Sequence, residues 1–332
     1  MPVANVLGVP HTYELTPAEL TSTTPQSTAL VFIHGWLLSR HYWRPMIQAL
    51  SAEYTCLAYD LRGFGDSTQQ LDRRDQPCLL TSTGQPSEAT AEISPSSPQQ
   101  NSQQQVVQFA PLSASIYSLT AYAEDLISLL QTLKCDRVWL VGHSLGGSVA
   151  LWAAHLAPKL VQGVICMNAG GGVYIQRAFD QFRTAGQQMV QVRPHWLRHL
   201  PLLPRVFANI MVTHSLQLRW GQQRLYDFLR ADAQAARESL LASTTETEVH
   251  RLPYLVSKLE QPAYFITGSN DQVMEPRYVR HLASFHSLFR QGQPNVIELA
   301  QCGHFAMLEQ TRQVAKTVQE ILEKSERVEG SG

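Results

Sequence analysis

Short, mostly apolar stretches recur along the chain, at residues 29–33, 54–58, 138–141, 161–167, 263–267 and 296–299, and the first of them is unbroken. Runs of this length without polar alternation predict strands covered on both faces. Between them the apolar positions return at helical spacing. Leu119, Tyr122, Leu126, Leu129, Leu130 and Leu133 trace one face of a helix, and further helices are expected over 42–50, 277–289 and 308–324. Another should run from Ser144 to about residue 157, where Pro158 stops it. Residues 3–15 supply one or two early strands, and 21–27 read as a loop. Buried strands alternating with helices predict an α/β fold: a mainly parallel, doubly wound sheet with helices on both faces. In such a sheet ligands bind beyond the carboxyl ends of the strands.

Two stretches break the alternation. Over 68–115 Gln, Ser, Thr and Pro dominate, leaving too few apolar side chains to offset the entropy of ordering. That stretch is expected to be a mobile insertion in a surface loop, at little cost in stability. Residues 173–259 are helical in pattern and rich in apolar, aromatic and arginine side chains. Seven arginines and one acidic residue, Asp180, fall between Val173 and Arg224. The pattern predicts a helical cap over 173–259, inserted into a core made of 1–172 and 260–332.

Composition narrows the function. At 44% hydrophobic and 16% charged residues the chain reads as an ordinary globular protein, and a net charge of −1 gives no reason to expect nucleic acid. No apolar run approaches the ~18 residues of a membrane span, and the first twenty residues lack a signal-peptide pattern. The five cysteines and twelve histidines have no metal-type spacing. No metal and no cofactor are expected, and the expected location is cytoplasmic.

One strand-to-helix junction carries chemistry. Gly142-His143-Ser144-Leu145-Gly146 directly follows the strand at 138–141 and has the form G-x-S-x-G. In that motif the serine sits at the apex of a strained turn, its hydroxyl clear of the chain. The bare pattern arises by chance in about one chain of this length in ten. Its place between a strand and a helix raises it above chance, and the helix N-terminus favours negative charge developing beside Ser144. A serine becomes a nucleophile when a base takes its proton and a third group orients that base. His304 follows the strand at 296–299, and Asp271 follows the strand at 263–267 in Gly268-Ser269-Asn270-Asp271. A rival acid would follow 161–167, but that strand ends in Asn168 with no carboxylate before Asp180. Each residue also has a plainer reading: a structural elbow, a loop histidine, a turn-forming aspartate.

With these residues in view, the chain resembles the capped α/β-hydrolase family. His34-Gly35-Trp36, Asp60-Leu61-Arg62-Gly63-Phe64-Gly65-Asp66-Ser67, the Ser144 block, Gly268 to Asp271 and Gly303-His304 match that family's blocks in order and spacing, over roughly 28–68 and 116–323. The resemblance implies Ser144 as nucleophile, His304 as base and Asp271 as its acid partner. It implies an oxyanion hole from the backbone N–H groups of Trp36 and Leu145. His34 and Gly35 would support that loop, with His143 and Asp66 as local hydrogen-bonding residues. Serine at the elbow argues against the dehalogenase and epoxide-hydrolase branches, which place an aspartate there. Similar chains in cyanobacteria and plastids remove phytol from chlorophyll or pheophytin esters, so the resemblance makes a phytyl ester a candidate substrate.

The expected function is hydrolysis of a small, lipophilic carboxylic ester through an acyl-enzyme on Ser144. The basic, apolar cap suits contact with an anionic membrane surface, and the oligomeric state stays open. Thioester cleavage, C–C bond cleavage, acyl transfer to an alcohol, and ligand binding without turnover remain alternatives.

Overall fold

The computed structural model describes residues 1–18, 28–68, 115–170 and 176–329. The loop expected at 21–27, and all but the edges of the insertion expected at 68–115, lie outside these residues.

Eight strands form one sheet: β1 (Val3–Val6), β2 (Val9–Thr16), β3 (Ala29–Ile33), β4 (Cys56–Tyr59), β5 (Val138–His143), β6 (Val161–Met167), β7 (Ala263–Gly268) and β8 (Val296–Leu299). Their order is β1-β2-β4-β3-β5-β6-β7-β8. The two early strands pair antiparallel at one edge and every pairing from β4 to β8 is parallel. The sheet is thus mainly parallel with helices on both faces.

Alternation along β3 explains why its whole run is apolar. Val31 and Ile33 join one buried layer with α2 (Leu119–Thr132) and α3 (Leu145–Leu156), while Leu30 and Phe32 join the opposite layer with α1 (Arg44–Leu50). Helix α2 begins at Ser118, whose hydroxyl accepts from the Ala121 N–H, a standard N-cap.

Between β6 and β7 lie α4 (Gln176–Gln191), a 3₁₀ turn at His195–His199, α5 (Leu203–Asn209), α6 (Leu218–Arg230), α7 (Ala233–Ser243) and α8 (Glu246–Lys258). The last of these is tied to the core: the Trp152 indole N–H in α3 donates to Glu248, and Leu252, Leu255 and Val256 are buried. After β7 come α9 (Pro276–Ala283) and α10 (Ser287–Arg290), and after β8 come α11 (Ala306–Glu309) and α12 (Thr311–Glu329). The helix expected over 277–289 is therefore broken. His286 caps α10 by accepting the Leu288 N–H on its own ring, which ends the first segment and starts the second. The final helix is broken as well, and its longer part begins only at Thr311, because Glu309 turns back toward the His304 loop.

Among the described residues no helix is long and apolar enough to cross a membrane. Cys56, Cys166 and Cys302 are buried free thiols.

Candidate active site

Ser144 stands at the junction of β5 and α3 with φ 52° and ψ −118°, a left-side backbone conformation that costs a non-glycine residue about 1–3 kcal/mol. The strain is held by close packing. A Cβ on Gly146 would come 2.3 Å from the Ile33 carbonyl oxygen, so only glycine lets α3 start this near the end of β3. As the first residue of α3, Leu145 has an N–H with no partner inside the helix.

The loop after β3 closes on the same point. A Cβ on Gly35 would lie 2.7 Å from His143 Nδ1 and 3.1 Å from Ser144 Cβ, which places the His34-Gly35-Trp36 backbone against the elbow. His34 fixes that loop: its Nδ1–H donates to the Gly35 carbonyl at 2.8 Å and its Nε2 accepts the Leu61 N–H at 2.9 Å. Burial, helped by the Arg40 charge, pushes His34 down to about 4, so it is a neutral support. Beneath it lies the buried Arg40. Its guanidinium pairs with Asp60 and, at 2.9 Å, with Asp66, holding the Asp60–Ser67 turn. Asp66 also pairs with Arg230 of α6 at 2.6 Å.

On the other side, His304 Nδ1–H donates to Asp271 Oδ2 at 2.9 Å, with the two residues 5% and 3% exposed. This leaves the His304 Nε2 lone pair as the basic position. The other oxygen of Asp271, Oδ1, accepts the Val273 and Met274 N–H groups at 2.9 and 3.0 Å. Burial alone would push the Asp271 carboxyl up. The His304 charge and hydrogen bond, with the donors from Met274 and Asn168, outweigh it and hold the group below the usual carboxylate range. His143 completes the frame, its Nε2–H donating to the His304 carbonyl at 2.7 Å. Burial, then the neighbouring His304 charge, pushes His143 down to about 3, which keeps it neutral.

Ser144, His304, Trp36 and Leu145 all line one cavity of about 220 Å³ between the sheet and the cap, with mostly apolar walls that include Leu37, Met189, Phe207, Met211 and Phe228. Each site residue expected from the sequence lies in or against this cavity or its supporting loops.

Three contributors escaped the sequence reading. Asn168, at the end of β6, donates from Nδ2 to Asp271 Oδ2 at 2.9 Å and to the Gly303 carbonyl at 3.0 Å. Its only sequence signal was a polar residue at the carboxyl end of a buried strand. Glu309 accepts the Gly303 and Phe305 N–H groups on one oxygen and the Thr213 and His214 N–H groups on the other. Arg224, a cap residue, reaches the cavity wall. Among the described residues no cluster of three or more His, Cys, Asp or Glu side chains could hold a metal ion.

Comparison with known proteins gives this geometry a family. An uncharacterized protein of Mycobacterium tuberculosis is 29% identical over 225 residues, which make up 64% of this chain and 64% of the relative's own length. The enol-lactonase of Burkholderia xenovorans superposes with a TM-score of 0.67 at 19% identity, covering 97% of this chain and all of the other. A thermophilic esterase from Thermogutta terrifontis gives 0.65 at 17% identity, with 98% of both chains covered. At these identities the structural likeness is one of fold. The sequence profile described as the alpha/beta hydrolase fold matches residues 28–311, from the first parallel strand through both loops of the site, and the chain belongs to that family.

Proposed function

We propose that the protein is a serine hydrolase that cleaves a carboxylic ester bearing a bulky or long apolar group. The observation that carries this reading is the bond from His304 Nδ1–H to Asp271 at 2.9 Å, inside the cavity that Ser144 also lines. That bond fixes the tautomer in which Nε2 can take the Ser144 proton. The serine oxygen then attacks the ester carbonyl, and the N–H groups of Leu145 and Trp36 receive the oxyanion, each worth about 2.7–4 kcal/mol in the transition state. The alkoxide leaves with the proton from His304. Water, deprotonated by the same nitrogen, releases the acid and restores Ser144. Membership in the family and the likeness in fold to esterases support the assignment to carboxylic ester hydrolases.

The cap supports the finer readings. Apolar walls suit a long hydrocarbon group, of which a phytyl chain is one candidate. Trp196, Leu202 and Val206 are exposed on the cap among Arg198 and Arg205, a mixture suited to an anionic membrane surface.

The test pairs fluorophosphonate labelling with turnover of p-nitrophenyl esters of rising chain length, in wild type and Ser144→Ala. Labelling and turnover should both vanish in the variant. A folded wild type that shows neither activity would sink the reading. Turnover of long-chain esters without release of phytol from chlorophyll would remove the phytyl candidate alone.

A further inference from the structure

The steps above use backbone N–H groups and one histidine, and leave a cation in the cavity without a task. Arg224 projects from α6, is 7% exposed, and lines the cavity with Ser144 and His304. Its Nη1 donates to the carbonyls of Phe207 and, at 2.9 Å, Ile210, at the open end of α5. The guanidinium carbon lies 4.2 Å from the centre of the Phe305 ring, next in sequence to His304. Both of its hydrogen bonds run from Nη1, so among the described residues Nε and Nη2 meet no acceptor. No carboxylate of the described residues forms an ion pair with it. The nearby Glu309 already accepts four backbone N–H groups. Burial lowers the guanidinium only to about 10, so it keeps its charge at neutral pH.

A buried cation with a free two-donor edge, in a cavity otherwise walled by hydrocarbon, is matched by a carboxylate. The planar Nε–Nη2 edge can meet both oxygens of such a group with parallel bonds. The cost of burying the guanidinium is already met by the folded protein, so an anionic ligand has only its own desolvation to offset against the paired interaction.

We propose that Arg224 is a carboxylate subsite, and that the substrate is an ester with an apolar body and a second, ionised carboxyl group seated against α6. The word ester rests on the function proposed above, while the carboxylate site rests on Arg224 alone.

The experiment measures binding by calorimetry to Ser144→Ala protein. The ligands are monomethyl esters of dicarboxylic acids from succinate to sebacate, each paired with the methyl ester of the fatty acid of equal length. Hydrolysis of the same series by wild type is followed in parallel. The carboxylated ligands should bind about tenfold or more tighter than their neutral partners, with the preference peaking at one length. Adding Arg224→Gln should collapse that ratio, whatever its effect on the individual affinities, and Arg224→Lys should retain part of it. Equal or weaker binding of the carboxylated ligands overturns the proposal whether or not the Arg224 variants fold. A preference that survives Arg224→Gln overturns it too. If the preference holds while wild type hydrolyses none of the series, the ester reading fails and the carboxylate subsite stands.

Discussion

Asn168 holds Asp271 and the His304 loop with one amide group: Nδ2 lies 2.9 Å from Asp271 Oδ2 and 3.0 Å from the Gly303 carbonyl oxygen. Its Oδ1 accepts the Ala306 N–H at 3.3 Å, and its backbone takes φ 48°, which asparagine tolerates better than most residues. Asn168→Ala removes these bonds without adding bulk and should lower kcat about tenfold, the equivalent of one hydrogen bond to a charged group. Asn168→Asp faces one carboxylate with another and should lower it further. Steady-state kinetics on both variants, with circular dichroism to confirm folding, checks the order.

The elbow predicts a trade of stability against activity. Ser144→Gly removes the side chain from a backbone conformation at φ 52° that glycine adopts freely. Relative to Ser144→Ala it should unfold at a higher temperature, with a gain of about 1 kcal/mol. Both variants should be inactive. Thermal unfolding of the pair decides, and equal midpoints would mean that the turn stores no strain.

Under the proposed function, Gly35→Ala should separate the Trp36 donor from Ser144. The new methyl would meet His143 and Ser144, and the loop must retreat to admit it. Loss of one donor predicts a fall in kcat of about a hundredfold or more. The fluorophosphonate labelling rate should fall in parallel, since in the proposed mechanism the phosphonyl oxygen would meet the same N–H groups.

Two buried neutral histidines set a pH window. His34 and His143 are lowered from 6.5 to about 4 and about 3. As pH falls below 6.5 the unfolded chain takes up two protons that the native protein refuses. Stability that is complete above that pH is therefore lost progressively, by about 1.4 kcal/mol per pH unit for each histidine, until the native groups titrate. His34→Gln keeps an acceptor for the Leu61 N–H and should flatten the slope between about pH 5 and 6 by one histidine's share. Urea unfolding across that range measures it, and an unchanged slope would contradict the assignment of His34 as neutral.

Glu309→Gln replaces one acceptor oxygen with an amide that faces backbone N–H donors. Whichever oxygen is lost, either the His304 loop or the cap turn at Thr213 is released. The variant should lose about 1.5–3 kcal/mol of stability and label more slowly with fluorophosphonate.

Much of this architecture was legible in the chain. The strands at 161–167 and 296–299 match their expected limits, because short, mostly apolar stretches bounded by polar and glycine-rich turns mark strands of a parallel sheet even where one position, Gln162 or Glu298, is polar. The Ser144 turn was legible since strand, glycines and helix adjoin in sequence. Asn168 was not, because its partner Asp271 lies 103 residues away and is brought near only by the pairing of β6 with β7. Arg224 was hidden for a similar reason. In the sequence it is one of seven arginines between Val173 and Arg224, and only the packing of α5 and α6 turns it inward. The break at His286 was invisible because the apolar spacing continues through it.

Several bonds reach from the cap to the loops around the cavity. Trp36 Nε1 donates to Ala236 at 2.8 Å, the Ser39 hydroxyl to Asp227 at 2.8 Å, the His304 N–H to Met211 at 2.8 Å, and the Thr213 N–H to Glu309 at 2.7 Å. A swing of the cap would break its hold on the Trp36 loop and on the His304 loop together. Under the proposed function, entry by way of such a swing would alternate with chemistry: with the door open the machine would be disassembled, and it would reassemble only around what had been let in.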